Sequence, residues 1–286
     1  MDGRKLFRQA YDEALSTWPA ATEHLTVPTP QGPTRVYALG PRDAPPLLLL
    51  PGGGATSLVW RDRATEWARE HRVYAVDLLG QPGRSRVTGR PPRTTQDLCR
   101  WLDAVLDGLG VARSALGGHS YGGWIALHYA LWAPERVERL VLVDPTLCFA
   151  RFRLGYLLRA LPGLVRPTPA RRRAFTEWET RRAGAENVWR TLDALAAAVP
   201  TERPVIGPRP AAKALRSLRV PVLVLLAEAG RAQAADEALR NVRLLIPHAR
   251  ASLLPGTTHH GLPQDVPQGT DQLVREFLAG DPTVDA

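Results

Sequence analysis

Apolar and polar positions change period in a repeating order along this 286-residue chain. Over residues 4–17 the apolar positions Leu6, Phe7, Ala10, Tyr11, Ala14 and Leu15 recur at helical spacing, which predicts an amphipathic helix. Two strands are expected next, over 22–28 and 34–39, parted by the turn Pro30-Gln31-Gly32-Pro33. Behind Pro45-Pro46, the run Leu47-Leu48-Leu49-Leu50 is typical of a strand buried on both faces of a sheet. It ends in Pro51-Gly52-Gly53-Gly54-Ala55, and a helix is expected from near Leu58. Residues 72–76 and 137–143 read as further buried strands. A short strand over 114–117 stands between a helix at 95–109 and one running from Trp124 to Pro134. A strand at 220–226, a mostly helical stretch at 234–246, a short strand at 251–254 and a last helix at 269–278 complete the pattern. Strands that alternate with helices pair in parallel through right-handed crossovers. The predicted fold class is α/β: a mostly parallel, twisted eight-stranded sheet with helices on both faces.

Between Thr146 and Ala212 the alternation stops. Pro162, Pro167, Pro169, Pro200, Pro204, Pro208 and Pro210 break this region into short helical pieces. The expected organisation is one core, residues 1–145 and 213–286, with residues 146–212 as a helical cap inserted over the strand ends. At 44% hydrophobic and 23% charged residues the composition is that of a soluble globular protein. No apolar run approaches the roughly 18 residues of a membrane span, and the N-terminal stretch is amphipathic, so neither a membrane nor a secretory signal is expected. Cys99 and Cys148 have neither metal-ligand spacing nor a disulfide pattern, which points to a reduced, cytoplasmic protein. The net charge of +9 would suit nucleic acid, but all except Lys5 and Lys213 of the 37 basic residues are arginine. That bias fits a GC-rich coding background, and no nucleic-acid-binding motif accompanies it, so no nucleic-acid partner is expected.

The chemistry centres on Gly118-His119-Ser120-Tyr121-Gly122-Gly123, set between the strand at 114–117 and the following helix. A serine at a sharp strand-to-helix turn, with small residues two before and two after, is a nucleophile elbow. The small residues let strand and helix approach closely, and the strained turn pushes the hydroxyl into the open. The helix N-terminus behind it offers unpaired N–H groups to a developing oxyanion.

With Pro-Gly-Gly-Gly after one strand, Asp77-Leu78-Leu79-Gly80-Gln81-Pro82-Gly83-Arg84-Ser85 after the next, then the elbow, a proline-rich insertion and a late histidine, nearly the whole chain resembles the α/β-hydrolase superfamily. Within it the chain is most similar to capped, single-domain serine esterase-like members of the type common in actinobacteria. The resemblance implies Ser120 as nucleophile and an oxyanion hole from the backbone N–H groups of Tyr121 and Gly53. Pro51 stands where the family usually has histidine. The family's Pro-Gly-x-x-His spacing lands on His259 as general base, with His260 beside it. His119 and His128 read as packing residues; His24, His71 and His248 read as surface positions. Asp77 reads as structural, shaping the Gly80–Ser85 loop.

The acid of the implied triad departs from the family pattern. It normally follows the strand at 220–226, where this chain has Ala227-Glu228-Ala229-Gly230-Arg231, so that Gly230 occupies the usual aspartate position. Three alternatives stay open: Asp144 at the end of the preceding strand, which is taken first; Glu228; or no acid at all. The resemblance implies no metal and no cofactor.

From Arg151 to Arg182 nine arginines face only Glu177 and Glu179. A solvated helix face accounts for that excess; recognition of an anionic substrate is the sharper alternative. Phe149, Phe152, Leu154, Tyr156, Leu157, Leu161, Phe175 and Trp178 are candidates to line an acyl pocket or to be plain core. The function expected is hydrolysis of a carboxylic ester or thioester of a small acyl substrate through an acyl-enzyme on Ser120. Acyl transfer, lactonisation or non-hydrolytic cyclisation on the same fold, and non-catalytic ligand binding, are the alternatives. The oligomeric state is not legible.

Overall fold

The computed structural model describes residues 2–182 and 188–280. Eight strands form one sheet: β1 (Glu23–Val27), β2 (Thr34–Leu39), β3 (Pro46–Leu50), β4 (Arg72–Val76), β5 (Ser114–His119), β6 (Val137–Val143), β7 (Val222–Ala227) and β8 (Arg250–Leu254). Their order is β1-β2-β4-β3-β5-β6-β7-β8. β2 runs antiparallel to both of its neighbours, and β3 to β8 run parallel. The strand set and the mostly parallel sense match the alternation of the sequence.

The helices are α1 (Gly3–Ser16), α2 (Arg61–Trp67), α3 (Thr95–Gly108), α4 (Tyr121–Trp132), α5 (Leu154–Val165), α6 (Pro169–Thr180), α7 (Val188–Ala196), α8 (Ala212–Ser217), α9 (Ala235–Leu245) and α10 (Thr270–Ala279). The helix expected near Leu58 opens instead as a 3₁₀ turn over Ser57–Trp60 before α2. The sheet is covered on both faces because its side chains alternate. Leu48, Leu50, Leu140, Leu142, Val222 and Val224 pack with α3, α4, α8 and α9. Leu47, Leu49, Val141, Val143, Leu223 and Leu225 pack with α1, α2 and α10. α4 follows Ser120 directly and buries eight of its twelve residues, so it is anchored on nearly every side.

Residues 146–212, between β6 and β7, carry α5, α6 and α7; positions 183–187 of this stretch lie outside the described residues. This segment meets the loops at the carboxyl ends of the parallel strands. Phe152 bridges to Gln233 after β7. The Glu202 amide donates to the Gly80 carbonyl after β4 at 2.8 Å. α7 lies against α1 through Leu192 and Ala196. No helix among the described residues is long and apolar enough to cross a membrane.

Asp77, one residue past β4, ties three elements together. Its Oδ1 accepts from the Ser57 amide at 2.8 Å and the Ser57 hydroxyl at 2.7 Å, and its Oδ2 from the Tyr11 hydroxyl at 2.6 Å and the Arg84 amide at 2.7 Å. A Cβ on Gly83 would stand 2.5 Å from the same Oδ2, so only glycine lets the Gly80–Ser85 loop close over the carboxylate. Asp77→Asn keeps the volume but turns an NH₂ toward two donors. An expected loss of about 2–3 kcal/mol should appear as a fall of several degrees in Tm by calorimetry.

Candidate active site

Ser120 follows β5 and precedes α4, with φ 54° and ψ −116°, a backbone region that costs non-glycine residues about 1–3 kcal/mol. The flanking glycines make the turn possible. A Cβ on Gly118 would come within 2.4 Å of the Gly122 carbonyl oxygen, and one on Gly122 within 2.4 Å of the Leu50 carbonyl oxygen. Neither collision can relax, because both partners are backbone.

His259 lies in the loop after β8 and meets Ser120 from the other side of the site. Its Nε2 is 2.9 Å from Ser120 Oγ, and its Nδ1 is 2.6 Å from Asp144 Oδ2. Asp144 stands one residue past β6 with φ 40°, a left-handed conformation that aspartate tolerates better than most residues. Its second oxygen accepts from Gln233 Nε2 at 3.0 Å and the Ala227 amide at 3.3 Å. Burial opposes charge on the His259 imidazole, but the hydrogen bond and the charge of Asp144 outweigh it, and the pKa stands above the ordinary histidine value. A hydroxyl, an imidazole and a carboxylate in series can pass the hydroxyl proton to the imidazole as the oxygen attacks a carbonyl carbon.

The other candidate acid is engaged elsewhere. The Glu228 carboxylate is exposed and accepts from the Gly256 amide at 2.9 Å. Gly230 sits in a turn closed by its own amide on the Ala227 carbonyl, and a Cβ there would lie 3.1 Å from Ala227 and 3.5 Å from the His259 amide nitrogen.

The Pro51–Gly54 loop comes up beside the N-terminus of α4. A Cβ on Gly52 would stand 3.4 Å from Ser120 Cβ, and one on Gly53 would stand 3.5 Å from Tyr121 Cβ. The loop is held by the Ala55 amide on the Gly52 carbonyl at 3.1 Å and the Gly54 amide on Gln81 Oε1 at 3.1 Å. Among the described residues the amides of Gly53 and Tyr121 have no protein acceptor, so both remain available to a substrate oxygen.

Two supports of His259 were not visible in the sequence. Glu179, at the end of α6, is fully buried and accepts from three backbone amides: His259 at 3.0 Å, His260 at 2.8 Å and Arg231 at 3.1 Å. The insertion thereby clamps the histidine loop, although one of two glutamates in an arginine-rich helix carries no signal of that role. His119 does more than pack: its Nε2 lies 3.0 Å from the His259 carbonyl oxygen. Burial, with His259 beside it, pushes its pKa down to about 3, so the neutral ring donates that bond. His128 packs on Trp124, with a pKa lowered to about 4 by burial. His24 and His248 are exposed as expected, whereas His71, the last residue of the α2–β4 connection, is buried.

Aromatic residues of the insertion line this region. Tyr156 of α5 bonds His260 Nε2 at 3.0 Å through its hydroxyl, lies edge-on to His259, and packs with Phe175 and Trp178 of α6. Phe149 belongs to the core, and Leu154, Leu157 and Leu161 point to solvent. Among the described residues, no group of three or more His, Cys, Asp or Glu side chains could hold a metal ion.

The model of the alpha/beta hydrolase family matches residues 47–273. The chain belongs to the alpha/beta hydrolase family. It is similar to carboxylesterase YbfK of Bacillus subtilis, 32% identical over 96% of this chain and 94% of that protein. The crystal structure of that esterase superposes with a TM-score of 0.88 at 30% identity, covering 98% of this chain and 99% of the other. Naproxen esterase from Bacillus subtilis does so with a TM-score of 0.88 at 29% identity, over 97% and 99% of the two chains. In this alpha/beta hydrolase the carboxylate on the imidazole comes from the end of β6, and the position after β7 that usually supplies it is Gly230.

Proposed function

We propose that this protein hydrolyses a carboxylic ester or thioester of a small organic substrate through an acyl-enzyme on Ser120. The hydrogen-bonded series Ser120–His259–Asp144 carries the reading, and the carboxylesterases similar over almost the full length support ester hydrolysis as the reaction. In this mechanism Ser120 Oγ attacks the acyl carbon while His259 Nε2 takes its proton. The carbonyl oxygen gains negative charge and is held by the Gly53 and Tyr121 amides. Collapse expels the alkoxide or thiolate, which leaves with the proton held on His259. Water then attacks the acyl-enzyme, gives a proton to His259, and releases the acid as that proton returns to Ser120. Asp144 holds the imidazole tautomer that presents Nε2 to the serine and stabilises the imidazolium.

Residues 146–212 serve as a cap, with Tyr156, Phe175 and Trp178 forming the acyl-facing wall. The Arg172 guanidinium reaches the Gly54 side of the loop, but its ion pair with Asp193 leaves it no net charge to hold an acidic function of the substrate. Cys99 and Cys148 are free and buried, in keeping with a cytoplasmic enzyme.

The test is intact-mass analysis after treatment with a fluorophosphonate, with ester turnover followed in isotope-labelled water. A single adduct on the Ser120 peptide, with one labelled oxygen in the released acid, is expected. An adduct without label in the product would point to acyl transfer or cyclisation. Folded protein that forms no adduct would sink the acyl-enzyme and favour ligand binding.

A further inference from the structure

α5 is unusual for a helix in a globular protein: none of its twelve residues is buried. Yet it contains Leu154, Leu157, Leu158, Leu161, Leu164 and Val165, and all six are exposed, Leu154, Leu158, Leu164 and Val165 by 61–73%. At 100° per residue these six fall within one arc of about 120°, which contains no polar side chain. The opposite side carries Tyr156, the residue that touches His260. The helix therefore has one aromatic contact facing the site and one leucine ridge facing outward, about 18 Å long at about 1.5 Å per residue. Scattered exposed leucines need no explanation, but a continuous ridge of six does.

Charge decides what covers it. Between Asp144 and Glu177 the chain has no carboxylate and carries seven arginines: 151, 153, 159, 166, 171, 172 and 173. Arg172 is neutralised by Asp193, and Arg159 lies over Trp178. Arg153 and Arg166 are exposed at the two ends of the ridge, and Arg171, also exposed, follows at the start of α6. A second copy of the chain meeting this face would bring the same arginines against one another. An anionic lipid surface satisfies both features at once: leucines enter the acyl boundary while guanidinium groups meet phosphates.

We propose that the outer face of α5 docks this protein on bilayers containing anionic phospholipid, with the helix lying in the interface plane. The site side of the same helix then opens close to the lipid, so ester substrates dissolved in the bilayer reach Ser120 with little passage through water. The docking does not depend on the ester chemistry, because binding is read without turnover.

The test is co-sedimentation of the full chain with vesicles of phosphatidylcholine alone and of phosphatidylcholine mixed with phosphatidylglycerol. Wild type should pellet with the mixed vesicles and much less with the neutral ones. Leu157→Ser/Leu161→Ser/Leu164→Ser should reduce partitioning at least about tenfold, with turnover of a short water-soluble ester retained. Arg153→Gln/Arg166→Gln should remove most of the preference for the anionic vesicles. Leu158→Ser alone provides the same comparison if the triple variant melts without cooperativity, with a smaller expected loss. Wild type that stays in the supernatant, or leucine variants that pellet as wild type does, would overturn the proposal. So would a lipid-independent dimer that the leucine variants break, which would make the ridge an interface between copies.

Discussion

Ser120→Ala is expected to lower kcat on an activated aryl ester by about 10⁵–10⁶-fold, with KM changed little and the melting temperature nearly unchanged. The size follows from the chemistry, because among the described residues no other hydroxyl bonds the His259 imidazole. Thr146 Oγ1 lies 3.4 Å from Ser120 Oγ, but no imidazole contacts it to take its proton. Alanine adopts the strained turn at the same backbone cost as serine, and the glycine contacts that shape the elbow are untouched. Turnover that remains should come from the Gly53 and Tyr121 amides acting on a bound ester with water as nucleophile. The measurement is steady-state kinetics beside a thermal melt. A loss smaller than about tenfold would remove Ser120 from the nucleophile's role.

Asp144→Asn should cost about 10⁴ in kcat, whereas Glu228→Gln should stay within about threefold of wild type, as expected for an exposed surface change. With its oxygen held by the Gln233 amide and the Ala227 N–H, an amide at 144 turns its NH₂ toward Nδ1 and favours the tautomer with the proton on Nε2, and it leaves the imidazolium of the transition state buried without its counter-charge. The Glu228 carboxylate serves only a backbone amide at the surface. The pH dependence supplies an independent reading. In wild type the active form has His259 neutral, so kcat/KM rises with pH through a pKa that stands above the ordinary histidine value. Removing Asp144 takes away the raising influence and leaves burial, which lowers the pKa. The acidic limb of the residual activity should therefore move to lower pH. A large rate loss in Glu228→Gln, or a limb that does not move in Asp144→Asn, would overturn the assignment.

The contrast between Asp144 and Gly230 shows where the sequence stopped being informative. Strand ends carrying Asp144, Glu228 or Gly230 could each be recognised, since an apolar run closed by a turn residue is a local pattern. Which of them reaches His259 is set by the lateral order of β6, β7 and β8 and by the φ of 40° at Asp144, neither of which is a property of neighbouring residues. The same limit explains Glu179 and His119, whose contacts span 80 and 140 residues along the chain. It also explains His71, which a polar residue type suggested for the surface and which is buried within the α2–β4 connection. In the insertion, helical spacing identified the apolar positions of α5 without saying whether they faced a core, a pocket or solvent.

By itself the sequence determined the eight strands, their mostly parallel pairing, the alternation that covers both sheet faces, and the serine at its sharp turn. These rest on short-range causes: the period of apolar positions, the strict need for glycine at 118 and 122, and the breaks made by proline. Tertiary structure alone decided which carboxylate meets the imidazole, how Glu179 of α6 holds the histidine loop, and that the leucines of α5 turn outward. Each is a contact, or the lack of one, between segments distant in sequence. Its energy depends on where the sheet and the insertion bring side chains together, and no local window of residues contains that information.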